Sequence, residues 1–171
     1  MNNLKNKNIL LCVTGSIAAY KACDLLRVLR KESVNVQVAM TESALEFIGE
    51  TSFSALSNHE VITKIFPSKK GDTGLEHVNL AIDLDAVIVA PATANILCKS
   101  ANGIADDVVS TLLSICEQPV LFAPAMNFRM WQNKSTINAV NILRKQGKTV
   151  MNPEEGQLAS LHEGEGRFPE I

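Results

Sequence analysis

Five short clusters in this chain carry residue types that could hold or work on a small ligand. Thr14-Gly15-Ser16-Ile17-Ala18-Ala19 has a single glycine, so it matches neither the G-x-G-x-x-G dinucleotide pattern nor the Walker pattern. One tight turn flanked by hydroxyls suits a mononucleotide phosphate or a ring edge instead. Thr41-Glu42-Ser43 offers hydroxyls at a helix start, where ordinary N-capping would account for them equally well. Pro91-Ala92-Thr93-Ala94-Asn95 and Pro124-Ala125-Met126-Asn127 resemble each other: each sets a proline and a small residue after an apolar run, then a polar group. Either proline alone could simply end a strand, but the repetition points to a cleft that a flat ligand can enter. His77 opens a stripe with Leu80, Ala81 and Leu84 at helical spacing. Burial and the positive helix end both disfavour imidazolium, which would make it a neutral base. A purely structural histidine satisfies the same pattern.

These clusters need a scaffold, and the apolar periodicity supplies one. Residues 8–14, 34–40, 61–65, 86–90, 120–123 and 148–151 read as strands, the one at 61–65 being weaker. Helices are expected over 16–32, with Ile17, Tyr20, Leu25, Val28 and Leu29 on its apolar face, and from residue 43. Further helices are expected over 75–82, 94–100, 106–116 and 129–146, with a polar loop at 67–74. Alternation of strands and helices at this spacing predicts an α/β fold with a Rossmann-like, doubly wound parallel sheet. In such sheets ligands sit at the carboxyl ends of strands, where these clusters fall. Residues 1–151 form the expected ligand-binding domain. Residues 152–171, rich in glycine and proline, read as a flap or loop of the same domain and not as a core element.

Composition narrows the function classes. The chain has 171 residues, 46% of them hydrophobic, which suits one well-buried core. Sixteen Lys and Arg against 18 Asp and Glu, with no basic run, argue against a nucleic-acid partner. No apolar stretch approaches the roughly 20 residues of a membrane span, so no membrane association and a cytoplasmic location are expected. Cys12, Cys23, Cys98 and Cys116 form no C-x-x-C pair and read as buried small hydrophobes, not a disulfide framework or zinc site. His59, His77 and His162 share no metal-site spacing, and no metal is expected.

Taken together, Gly15-Ser16-Ile17-Ala18-Ala19-Tyr20-Lys21, the histidine of Glu76-His77-Val78-Asn79-Leu80-Ala81, Pro91-Ala92-Thr93-Ala94-Asn95, Ala101-Asn102-Gly103-Ile104-Ala105-Asp106-Asp107 and Pro124-Ala125-Met126-Asn127-Phe128-Arg129-Met130-Trp131 resemble the flavin-containing cysteine decarboxylases. Within them the resemblance is strongest to the branch acting on phosphopantothenoylcysteine in coenzyme A biosynthesis, the N-terminal half of a bifunctional bacterial enzyme. The resemblance implies a flavoprotein-type fold, assembly into trimers or a dodecamer of four trimers, and FMN bound between neighbouring subunits. It implies that Gly15, Ser16, Thr41, Ala92, Thr93 and Ser110 line the FMN and that His77 is the base. Asn127 would hold the substrate carboxylate, Met126 would shape the substrate pocket, and Arg167 would belong to the substrate flap.

The tail departs from that family at one point. Where the family has L-A-C-G, this chain has Leu158-Ala159-Ser160-Leu161, followed by His162-Glu163-Gly164-Glu165-Gly166-Arg167. A serine hydroxyl is a far weaker acid than a thiol of pKa about 8.5, so Ser160 is a poor proton donor for the last reduction, and His162 is the candidate substitute. The loss of the cysteine also suits a peptidyl-cysteine decarboxylase that stops at an enethiol. A non-catalytic FMN-binding module would need neither His77 nor Asn127, and a prenylated-flavin synthase fits the histidine and the P-A-M-N run less well. The resemblance further implies a phosphopantothenate–cysteine ligase as partner, fused or separate.

Overall fold

The computed structural model describes residues 4–65, 83–157, 159 and 163–170. Its centre is a five-stranded parallel sheet in the order β2-β1-β3-β4-β5. β1 (Asn8–Val13) is apolar throughout because both of its faces are covered. Leu10 and Cys12 face one layer, whereas Ile9, Leu11 and Val13 face the other. β2 spans Asn35–Met40, β3 Ala86–Ala92, β4 Val120–Pro124 and β5 Thr149–Val150. The doubly wound expectation holds, and the order reverses between β1 and β3.

On one face α1 (Lys21–Lys31) and α3 (Glu50–Ser57) pack over β1 and β2, burying Leu26, Leu29, Phe53, Val36 and Met40. On the other, α4 (Ala94–Asn102), α5 (Val108–Ile115) and α7 (Lys134–Lys145) bury Ile96, Leu97, Leu112 and Leu143 against Val87, Val89 and Phe122. The 94–100 and 106–116 helices are thus present with slightly different ends. α4 stops where Gly103 turns left-handed, with φ 68°.

Several expectations need correction. The helix over 16–32 begins as a 3-10 turn, Ile17–Tyr20, and its buried stripe is Ala19, Ala22, Leu26 and Leu29. Ile17, Tyr20 and Val28 are exposed instead, because tightening the first turn rotates the side chains off a single α-helical face. The helix from residue 43 is two short pieces, α2 (Glu42–Leu45) and α3, the second entered through Gly49. The weak strand at 61–65 reduces to one bridge, Ala39 with Ile62. The helix over 129–146 splits into α6 (Phe128–Trp131) and α7, because the Asn133 side chain accepts the Ser135 N–H and caps a new start. Cys12 is buried, but Cys23, Cys98 and Cys116 are only half-buried. The expected helix over 75–82, with His77, and the loop at 67–74 lie outside the described residues.

The tail is more ordered than a loop. β6 (Glu154–Gln157) and β7 (Glu163–Arg167) form an antiparallel hairpin. Phe168 beyond it is 4% exposed and joins the core layer of Ile9, Leu26 and Phe53, so the tail contributes to the core. Among the described residues no helix is long and apolar enough to cross a membrane.

Gly15 shows how tightly the first strand end is packed. A Cβ there would lie 2.5 Å from Ser43 Oγ and 2.9 Å from the Ser43 carbonyl oxygen. Gly15→Ala should therefore cost about 1–3 kcal/mol of stability by urea denaturation. Adding Ser43→Ala should recover only part of that, because the backbone contact remains.

Candidate functional site

Three turns follow the carboxyl ends of β1, β3 and β4, and each is shaped by a side-chain cap. After β1, Ser16 caps the 3-10 turn: its Oγ accepts the Ala18 N–H at 3.3 Å and donates to the Ala125 carbonyl at 3.4 Å. After β3, Thr93 caps α4 by accepting the Ile96 N–H at 3.4 Å. After β4, Asn127 caps α6, its Oδ1 accepting the Arg129 N–H at 2.9 Å. All three caps thus orient residues that the sequence singles out.

The hairpin closes over the third turn. Met126 donates its N–H to the Gly166 carbonyl at 2.9 Å. A Cβ at Gly166, where φ is 155°, would sit 2.1 Å from Met126 O, and one at Gly164 would meet Phe128 Cβ at 3.1 Å and its ring Cγ at 3.3 Å. Glycine is needed at both places because the hairpin backbone lies directly on the Met126–Phe128 segment.

Between these parts lies a cavity of about 630 Å³, within the range of small-ligand pockets. It brings together Gly15, Ser16, Thr93, Met126, Asn127 and Arg167, six of the residues expected at the site. Three described expectations lie outside its lining. Ala92 is fully buried at the end of β3, paired with Pro124. Thr41 is buried with its Oγ1 3.1 Å from Ser43 Oγ, behind the Gly15 turn. Ser110 is buried in the capping box of α5, where its Oγ accepts the Asp107 N–H at 3.0 Å and Asp107 Oδ1 accepts the Ser110 N–H at 2.9 Å. His77, Ser160 and His162 lie outside the described residues.

Sequence reasoning missed the apolar rim. Ile17, Tyr20, Phe47 and Met130 line the cavity while remaining between 48% and 60% exposed. Large apolar side chains grouped at a cavity mouth mark a binding surface. The available signal was that Ile17 and Tyr20 fall off the Ala22–Leu26–Leu29 stripe. Lys21 and Phe168 also line the cavity, with Lys21 Nζ 5.9 Å from the ring centroid.

Arg167 on the cavity lining and Lys99 on α4 both have carboxylate partners. The Arg167 guanidinium stands 3.4 Å from Glu170 Oε1 and 3.9 Å from Glu154 Oε2. Lys99 Nζ bridges Asp106 at 2.5 Å and Asp107 at 2.7 Å. Burial acts to raise the Asp107 carboxyl, but the Lys99 hydrogen bond and the Ser110 N–H outweigh it and hold the carboxyl below the ordinary range. Burial pushes all four cysteine thiols up, so none is poised as a thiolate. Among the described residues, no three His, Cys, Asp or Glu group as metal ligands.

A family model described as Flavoprotein matches residues 1–171. The coenzyme A biosynthesis bifunctional protein CoaBC of Bacillus subtilis (strain 168) is 44% identical over 167 residues, covering 98% of this chain and 41% of that protein. The chain thus spans about two fifths of the length of the curated relatives it matches. Among solved structures, the FMN-dependent cysteine decarboxylase SpaF superposes with a TM-score of 0.84 at 32% identity, covering 95% of this chain and 91% of that one. A cysteine-to-serine mutant of PPC decarboxylase complexed with pantothenoylaminoethenethiol gives 0.82 at 30% identity, covering 97% and 92%.

Two outcomes follow from the geometry. Gly166→Ala should lift the hairpin from the third turn, and the Met126 amide should exchange roughly tenfold faster for loss of its hydrogen bond, read by hydrogen–deuterium exchange. Because the Asp107 carboxyl is held low in the folded chain, its contribution is present above the unfolded carboxyl range and is lost as pH falls through the folded value. Asp107→Asn should therefore flatten the acid limb of the stability profile below about pH 4, measured by thermal unfolding across pH.

Proposed function

The chain belongs to the Flavoprotein family, and from that premise we propose that it binds FMN and decarboxylates 4'-phosphopantothenoylcysteine to 4'-phosphopantetheine in coenzyme A biosynthesis. The observation that carries this reading is the convergence of three capped strand-end turns and a glycine-rich hairpin on one cavity containing both Asn127 and Arg167. The CoaBC relatives and the PPC decarboxylase structure support the substrate. Structural neighbours that include an FMN-dependent cysteine decarboxylase and an FMN binding protein support the cofactor.

The residues present fit a flavin mononucleotide. A flat tricyclic ring needs apolar faces and polar edges, and the cavity pairs Ile17, Tyr20 and Met130 with Ser16 and Thr93. Gly15, Ser16 and Thr93 would hold it directly. Thr41 would support them from behind, through Ser43, and Ala92 through the strand that leads to Thr93. Ser110 would join the set across the boundary between subunits of a homo-oligomer, a trimer or a dodecamer of four trimers. When bound, FMN supplies the two-electron acceptor that converts the cysteinyl CH2–SH into a thioaldehyde.

The remaining work falls to side chains. His77 would act as the base that removes a substrate proton. Asn127, on the cavity lining, would hold the substrate carboxylate. Carbon dioxide then leaves from the carbon next to the thiocarbonyl, whose sulfur takes up the electron pair as an enethiolate. Met126 would shape the pocket and Arg167 would bind the substrate from the hairpin. Saturating the enethiolate would need the two electrons that the cofactor took up in the oxidation, and the accompanying proton would come from His162, because Ser160 is too weak an acid. A phosphopantothenate–cysteine ligase, fused or separate, would supply the substrate, in keeping with the bifunctional relatives.

A second reading, a peptidyl-cysteine decarboxylase that releases the enethiol, is favoured by Ser160 in place of the family's cysteine. The Gly164-Glu165-Gly166-Arg167 run favours phosphopantothenoylcysteine. The purified protein should be yellow and release a cofactor with the mass of FMN. Incubation with phosphopantothenoylcysteine and with a peptide ending in cysteine, followed by mass measurement, separates the two readings. His77→Asn should keep the flavin yet lower carbon dioxide release by about a hundredfold or more; unchanged release rejects the base. His162→Asn should leave decarboxylation intact and stop the product at the enethiol.

A further inference from the structure

We infer that Thr14 is a positioning residue for the FMN site, its hydroxyl locking the β1 turn to the β3 turn and so setting Thr93. The inference rests on the FMN reading above. The β1–β3 ladder ends at the Cys12–Val89 pair. Past that point the Thr14 side chain takes over the pairing. Its Oγ1 donates to the Pro91 carbonyl at 2.7 Å, accepts the Thr93 N–H at 3.1 Å, and lies 3.3 Å from Thr93 Oγ1. Thr93 lines the cavity, whereas Thr14 is 1% exposed and does not.

The lock is part of a closed ring. Ala125 donates its N–H to the Ala92 carbonyl at 3.1 Å, joining the β4 turn to the β3 turn, and Ser16 Oγ reaches the Ala125 carbonyl at 3.4 Å, joining β1 to β4. The Thr14 contact to Pro91 is the shortest of the three links. Removing the hydroxyl strips two buried backbone groups, one acceptor and one donor, of a partner at the place where the ring edge would be met. A small shift of Thr93 there would weaken the fit to the ligand without touching any group that contacts it.

The test compares Thr14→Val, which removes the hydroxyl, with Thr14→Ser, which keeps it. Thr14→Val should bind FMN between about fivefold and a hundredfold more weakly, the effect of leaving a buried polar group unpaired. Its Thr93 amide should exchange roughly tenfold faster, with or without FMN. Thr14→Ser should stay within about threefold of wild type in both readouts, because it retains both hydrogen bonds. Wild-type behaviour of Thr14→Val, or losses in Thr14→Ser equal to those in Thr14→Val, would overturn the role, the second because serine keeps the hydroxyl and fails all the same. Should Thr14→Val not fold, Thr14→Cys replaces it as the weak-donor variant, and equal behaviour of the Cys and Ser variants overturns the role. If wild-type protein binds no FMN, the functional reading falls by itself, and exchange at Thr93 still decides the role of Thr14.

Discussion

Two neighbouring parallel strands cannot both stay paired and open a cleft between them, and the whole ligand end of this molecule answers that constraint. β1 and β3 sit where the strand order reverses, so their connections leave toward opposite faces of the sheet and a crevice forms beyond them. The cost is a set of backbone groups that no longer meet a ladder partner and must find one elsewhere. Thr14, Ser16, Thr93 and Asn127 meet that need with side-chain oxygens. The hydroxyl-rich turns are therefore structural and functional at once: the groups that satisfy the strand ends also define the cavity edge.

The hairpin is tied to the same constraint from the other side. It could be a mobile flap attached only by its stem, but its contacts place it on the core. Gly166 accepts the Met126 N–H, and Phe168, immediately after β7, fills a space beside Ile9 and Leu26. Burying a phenylalanine contributes about 1.5–3 kcal/mol, enough to hold this end of the hairpin on the core. Arg167 lies between that anchor and the cavity, partly neutralised by Glu154 and Glu170. A half-paired guanidinium on an anchored strand can exchange carboxylate partners for an incoming anion without moving the backbone.

Much of this was legible in the residues because burial on both faces writes a simple code. The apolar runs at β1, β3 and β4 named the central strands, and the two proline turns beyond them located the cleft. What failed did so for local reasons. The helices expected over 16–32 and 129–146 carried continuous apolar periodicity, but the first opens as a 3-10 turn capped by Ser16, and the Asn133 cap starts a new helix inside the second. The tail reads as glycine-rich and hence loose, although three of its glycines adopt an extended positive-φ backbone that forms a hairpin. Thr14 was visible in the turn motif, but its partners lie 77 to 79 residues away, and no local pattern discloses such a contact. Thr41 and Ser110 were named through resemblance, and their capping surroundings in one chain show why resemblance alone did not place them on this cavity.

The exposed apolar rim decides what kind of ligand end this is. Of the cations on the cavity lining, Arg167 has carboxylate partners and Lys21 stands 5.9 Å from the centroid of the Phe168 ring. The surface left over at the mouth is Ile17, Tyr20, Phe47 and Met130. At about 25 cal/mol per Å², covering such side chains gives a flat aromatic group more binding energy than one further hydrogen bond, whose net worth is about 1 kcal/mol. The thiols, all pushed toward the neutral form by burial, supply no nucleophile of their own. On the proposed FMN reading the division of labour is physical: the ring would bring the redox chemistry, the rim would supply its affinity, and the hydrogen-bonded strand ends would set its orientation.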